Sequence, residues 1–175
     1  RATMAEEIRR AADQGVRGFS TGLVYAPGSF ASGYELVVLA KAAADAGLLY
    51  STHMRNESGD LLEAVDEALL AARVGGASVE ISHLKAMGPA NHGLPLRALE
   101  RIDAANAAGF DVAADVYPYT ASSTTLTSRL PAFAMDGGAP ALMARLADPA
   151  ERRRVAAGLA SRFGRDVDPG GVVIA

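Results

Sequence analysis

The sequence predicts an α/β fold of parallel strands alternating with helices, a (β/α)8 barrel of the TIM type, of which this chain supplies about half. Three observations lead there. Short apolar, strand-like runs alternate with amphipathic helical stretches over residues 18–116. The strand-like runs end near Thr21, His53, His83 and Asp115, at spacings of 32, 30 and 32 residues. A helix between successive strands makes them parallel, with right-handed crossovers. About 250 residues carry eight such repeats in a closed barrel, so four repeats are half of one. The rival architecture is the doubly wound sheet. It places a Gly-rich phosphate turn after its first strand, and this chain has none there.

The elements follow in order. Gly18 to Leu23 is short and partly apolar, and a turn with Pro27 and Gly28 comes after it. Ser32 and Glu35 form a capping box. Leu36, Leu39, Ala40 and Ala43 then recur at helical spacing, and Gly47 ends that helix. Leu48 to Thr52 is the next strand, ending at His53. Asp60 is read as the cap of a helix whose apolar stripe is Leu61, Val65, Ala68, Leu69 and Ala72, stopped by Gly75 and Gly76. Ala77 to Ser82 leads to His83. Pro95 suits a first helical turn, and Leu96, Leu99 and Ile102 continue it to Gly109. Phe110 to Val116 is the fourth strand. Beyond Tyr119 a Ser/Thr-rich stretch, Thr120 to Ser128, reads as a long loop. Helices are expected over Ala141 to Leu146 and from Asp148-Pro149.

The chain has 175 residues, 50% of them hydrophobic and 21% charged, which suits one globular domain. A net charge of −3 gives no reason to expect a nucleic-acid partner, and Arg152-Arg153-Arg154 reads as a solvated helix face. No apolar run is long enough to cross a bilayer, so no membrane partner is expected and the cytoplasm is the default location. There is no cysteine, hence no disulfide or thiolate metal site within the segment. The chain opens on Arg1 without Met, and Gly171 to Ala175 reads as a strand that is cut off as it begins. These ends suggest a piece of a longer polypeptide, residues 1–175 being a central or C-terminal part of a barrel domain.

Two of the three histidines, His53 and His83, stand at the C-terminal ends of successive strands. In a barrel that end holds the active site. Adjacent strands lie about 4.8 Å apart, so both rings can reach one ion, and neutral imidazole is a common zinc ligand. A catalytic zinc wants at least three protein ligands, so two do not complete the set. His92 belongs to a loop, with surface exposure the favoured reading. Lys85 stands over the barrel mouth, either to hold a substrate carboxylate or as a surface lysine. Arg55 and Glu57 follow His53, as braces behind the metal or as substrate contacts. Asp115 is a ligand or an orienting carboxylate. Tyr117 and Tyr119 flank Pro118, and one of them is expected to face inward.

Gly18-Phe19-Ser20-Thr21-Gly22-Leu23 with Tyr25 and Pro27-Gly28, Thr52-His53-Met54-Arg55-Asn56-Glu57, Ser82-His83-Leu84-Lys85 and Asp115-Val116-Tyr117-Pro118-Tyr119-Thr120 together resemble the N-acyl-D-amino-acid deacylases, or D-aminoacylases, of the amidohydrolase superfamily. The likeness runs over roughly residues 15 to 125. It implies a distorted (β/α)8 barrel with this chain as strands four to seven. It implies zinc on His53 and His83, a grip on the substrate's α-carboxylate by Lys85 and Tyr117, and an acyl-amino-acid pocket lined by Ser122 or Ser123. Arg129 is a further candidate, for an acidic substrate side chain, though an exposed loop arginine is the favoured reading.

The same resemblance implies hydrolysis of a small N-acyl-D-amino acid to a carboxylate and a free D-amino acid. The family's first-strand His-x-His pair, its zinc-binding cysteine and its late aspartate, the general base, have no counterpart here. The rest of the same polypeptide is expected to supply them, and the segment alone is expected to be inactive. The family's cysteine takes the bridging role that a strand-four lysine plays in other amidohydrolases, and Thr21 lies near that place. A dihydroorotase-like cyclic amidase would carry that lysine. A barrel relative without catalysis is the other alternative.

Overall fold

The computed structural model describes residues 2–163, 165–166 and 168–174. Four parallel strands lie side by side in chain order: β1 (Gly18–Gly22), β2 (Leu49–His53), β3 (Val79–Ile81) and β4 (Val112–Ala114). Helix α1 (Ala2–Asp13) precedes them, and α2 (Gly33–Asp45), α3 (Leu61–Gly75) and α4 (Leu94–Ala107) form the crossovers. The α/β reading and the four repeats are as the spacing predicts. Helix α1 was not foreseen.

Register explains the two faces of the sheet. Phe19, Tyr50, Val79 and Val112 share one row, and Thr21, Thr52, Ile81 and Ala114 another. Side chains alternate along a strand, so both rows face the same way. That way lie the helices: Tyr50, Val79, Ile81 and Val112 pack in one core with Leu61, Val65 and Leu69 of α3 and Ala98, Ile102 and Ala105 of α4. The Tyr50 hydroxyl is buried there beside Thr21 Oγ1 at 2.9 Å, and Thr21 Oγ1 lies 3.0 Å from Thr52 Oγ1. Burial raises the Tyr50 pKa. Thr21 therefore serves the helix layer and faces away from the histidines. The alternate row, Ser20, Ser51, Glu80 and Ala113, forms the polar opposite face. His53, at the end of β2, continues that face.

Local sequence sets the helix ends. Ser32 Oγ accepts from Glu35 N, as the capping box predicts. Asp60 does not cap α3 with its side chain. Asn56 Oδ1 instead accepts from Ser58 N at 2.7 Å and Asp60 N at 3.3 Å, an Asx turn that brings the chain from β2 into α3. At Gly75, an added Cβ would meet Ala40 Cβ at 2.8 Å, so the missing side chain lets α3 lie close on α2.

Beyond β4, α5 (Ala132–Met135), α6 (Gly138–Ala147) and α7 (Pro149–Ala160) bury Ala134, Leu142 and Val155 in a second, small cluster. Asp148 caps α7 through Ala150 N and Glu151 N, as expected of Asp148-Pro149. Arg152 and Arg153 are exposed, and Arg154 lies over the Phe133 ring at 4.2 Å. Gly88 has φ 89°, and the backbone of Arg165 crosses where its Cβ would be, so only glycine fits. Val172 to Ile174 are not a strand; Val173 is 85% exposed. A strand needs a neighbour to take its backbone groups, and no described strand pairs with these residues. Arg1 and Ala175 lie outside the described residues. Among those residues no helix is long and apolar enough to cross a membrane.

Candidate metal and substrate site

Parallel register brings the ends of β2 and β3 together, with Thr52 opposite Ile81. The His53 and His83 rings consequently meet edge to face, with centroids 4.3 Å apart. His83 adopts the left-handed conformation, φ 45°. Asp115 holds it there: His83 N donates to Asp115 Oδ1 at 2.6 Å, and Leu84 N donates to Asp115 O at 2.8 Å. Asp115 thus orients the histidine through the backbone. Burial, with the Asp115 carboxylate nearby, raises the Glu80 pKa.

Glu57 reaches both rings, its side chain 4% exposed. Its Oε1 is 2.9 Å from His83 Nδ1 and accepts from Lys85 Nζ at 2.7 Å. Its Oε2 is 3.8 Å from His53 Nε2. One ligand atom from each of His53, Glu57 and His83 falls within 4.8 Å of the others. The two imidazoles suit a borderline divalent cation such as zinc, with the Glu57 carboxylate beside them. Burial lowers the His53 pKa, with Glu57 opposing and His83, Lys85 and Arg129 assisting. The folded site therefore favours the neutral ring, the form that can bind a metal. By linkage, His53 costs the fold stability as pH falls below the ordinary histidine value, and costs it nothing above.

Lys85 Nζ also donates to His83 O at 2.9 Å and lies 5.3 Å from the Tyr117 ring centre. Tyr117 is half-buried, 6.4 Å from the His83 ring, whereas Tyr119 is 75% exposed and stacks on Tyr117. Of the two tyrosines, Tyr117 faces the histidines. Arg129 is half-buried; burial and Arg162 lower its pKa, and its side chain donates to Ser128 Oγ and Met87 Sδ.

Other expected residues stand apart. All four side-chain bonds of Arg55 go to Glu67, Ser29 O and Ala31 O, so it ties the loop after β1 to α3. Ser122 and Ser123 are exposed in the Ser/Thr loop, and His92 is exposed before α4. Sequence reasoning passed over Tyr25 as a site residue. Its ring lies 5.0 Å from His53, and its hydroxyl is 3.0 Å from Thr124 Oγ1. Its turn, with Pro27-Gly28, was the only signal. Tyr25, Asn56, Thr125 and Arg162 line a cleft of about 430 Å³ that neither histidine lines.

No protein-family model matches the chain. An N-acyl-D-glutamate deacylase of Alcaligenes xylosoxydans xylosoxydans is 47% identical over 123 residues, 70% of this chain and 25% of that protein. The crystal structure of an N-acyl-D-glutamate deacylase from Bordetella bronchiseptica, complexed with zinc and a phosphonate inhibitor, superposes with a TM-score of 0.64 at 41% identity, over 66% of this chain and 24% of that one. A D-aminoacylase structure described as defining a novel subset of amidohydrolases matches at 34% identity and TM-score 0.63, over 70% of this chain and 26% of its own. The chain thus spans about a quarter of the length of the relatives it matches. With its α/β sheet, its paired strand-end histidines and these relatives together, the chain belongs to the D-aminoacylase family of amidohydrolases.

Proposed function

We propose that this segment carries the fifth- and sixth-strand metal ligands and the carboxylate grip of a zinc-dependent N-acyl-D-amino-acid deacylase, as strands four to seven of its barrel. The observation that carries the reading is the meeting of His53 and His83, 4.3 Å apart, with the Lys85 ammonium 3.1 Å from the His83 ring nitrogen. A metal next to a fixed cation suits a substrate whose amide and carboxylate are separated by one carbon. The relatives at more than a third identity are named as deacylases or aminoacylases, which disfavours the cyclic-amidase alternative.

His53 and His83 would hold the metal. When bound, it supplies a Lewis acid and a water of lowered pKa. Lys85 and the Tyr117 hydroxyl bind the α-carboxylate and fix the amide's position, which removes orientational freedom before reaction. Ser122 and Ser123 would meet the substrate from the exposed Ser/Thr loop, outside the lining of the cleft. The general base is an aspartate from another part of the full-length polypeptide, which also completes the ligand set and the barrel. Tyr25 and the Thr120–Ser128 loop exclude water above His53.

The acidic side chain of a D-glutamate or D-aspartate substrate falls to Arg129, whose described hydrogen bonds reach no carboxylate. Replacing Arg129 with leucine in the full-length enzyme lowers kcat/KM for N-acetyl-D-glutamate by roughly 10- to 100-fold, the worth of one hydrogen bond to a charged group. N-acetyl-D-leucine hydrolysis changes little. Equal losses on both substrates would remove Arg129 from the side-chain pocket. The reading as a whole is tested by supplying the zinc-loaded full-length enzyme with N-acetyl-D- and L-amino acids. Release of the D-amino acid alone is expected, and no release from any of them sinks it.

A further inference from the structure

The Lys85 ammonium has three hydrogens to give. Among the described residues three acceptors stand within reach of it: Glu57 Oε1 at 2.7 Å, His83 O at 2.9 Å and His83 Nδ1 at 3.1 Å. If Nδ1 carries a lone pair, all three hydrogens are consumed within the chain. In that state Lys85 has none for a substrate, and the Nδ1 lone pair also faces the Glu57 Oε1 lone pairs at 2.9 Å. Two acceptors so close repel, and Glu57 is too buried for water to relieve them. If Nδ1 carries the proton, it donates to Glu57 Oε1. Nε2 is then the free lone pair, and Lys85 keeps one N–H to offer. The two arrangements hold the same number of protons.

We propose that Glu57 is a positioning residue that selects the second arrangement, so that one carboxylate oxygen prepares His83 Nε2 for the metal and a Lys85 hydrogen for the substrate's carboxylate. This rests on the deacylase reading above. It goes further by making metal ligation and substrate capture depend on one side chain that touches neither. Glu57 is accordingly not a ligand: its Oε1 already takes two donors. Carboxylates behind metal-bound histidines commonly fix the ring in this way, and their loss weakens metal binding by about 10- to 100-fold. What is particular here is the lysine on the same oxygen.

The test uses the full-length enzyme reconstituted with zinc. Histidine-labelled ¹⁵N spectra, with His83 assigned by its loss in His83→Gln, are expected to show Nδ1 protonated and Nε2 shifted by zinc. The reverse pattern overturns the proposal, whatever any variant does. In chelator competition, Glu57→Ala binds zinc about 10- to 100-fold more weakly. Glu57→Gln loses less than about tenfold, because its amide oxygen still accepts from Nδ1–H with roughly half the strength of a charged acceptor. Equal, large losses in both variants would make Glu57 a ligand and overturn the proposal, as would unchanged affinity in Glu57→Ala. At saturating zinc, Glu57→Ala raises KM for N-acetyl-D-glutamate more than it lowers kcat, and adds little to Lys85→Ala. Additive effects on KM overturn the shared role. Should Glu57→Ala not fold, the nitrogen spectra and Glu57→Gln decide. A wild-type enzyme without zinc or without D-amino acid release sinks the deacylase reading and this proposal together. An active zinc enzyme with the contrary Glu57 results sinks this proposal alone.

Discussion

His53→Ala in the full-length enzyme is expected to lower kcat/KM on the order of a thousandfold and to strip the metal on dialysis. A metal that polarises an amide carbonyl is worth several kcal/mol of transition-state stabilisation, and each 1.36 kcal/mol is about tenfold in rate. His53 stands at the edge of that arrangement: its ring packs on His83 at 4.3 Å and on Tyr25 at 5.0 Å. Alanine would leave a space that no described neighbour can fill with a donor of the same kind. Metal content by atomic absorption and activity measured on the same sample give the result. His92→Ala is the control, because His92 is exposed and should change neither. Unchanged zinc content in His53→Ala would refute the ligand assignment. The burial that lowers the His53 pKa also sets the expected pH response. Burial keeps this ring neutral further into acid than an unperturbed histidine, so under the proposed ligation zinc affinity should hold further into acid as well.

Lys85→Met is expected to act on binding and on stability at once. Loss of a charged hydrogen bond to the substrate's carboxylate raises KM by roughly 10- to 100-fold, with a smaller change in kcat. Stability falls as well, because Glu57 is left as a buried carboxylate without its cation. Breaking such a pair costs about 3–5 kcal/mol when both groups are buried. Here the Lys85 side chain is 23% exposed and Glu57 only 4%, so the cost falls toward the lower end. Denaturant unfolding measures it. Lys85→Met combined with Glu57→Gln should recover much of the lost stability, since removing both partners leaves no orphaned charge. A double variant as unstable as Lys85→Met alone would show that the pair is not the cause.

The repeat was legible because it depends on local signals. The 32-, 30- and 32-residue spacings and the glycine stops place four strands, and the strand ends place His53 and His83. Glu57 and Arg55 looked alike in the sequence, two charged residues just past a strand. The turn built by Asn56 Oδ1 sends them apart, Glu57 inward and Arg55 toward α3, and such a turn is not read from charge pattern. Tyr25 escaped because its place depends on Thr124, 99 residues away. The Asp60 cap failed because its carboxylate accepts from the Asn56 amide at 3.2 Å and its backbone, φ −100° and ψ 29°, is not the extended form of an N-cap. Val172 to Ile174 misled because apolar residues predict a strand only where a neighbouring strand exists to receive them.

His83 at φ 45° has a consequence for anyone who would improve this protein. A non-glycine residue in that region costs on the order of 1–3 kcal/mol, and glycine there costs almost nothing. Selection for heat resistance alone would therefore favour His83→Gly, a more robust protein without the imidazole proposed above to hold the metal. Position 83 is thus one where robustness and the proposed chemistry pull in opposite directions.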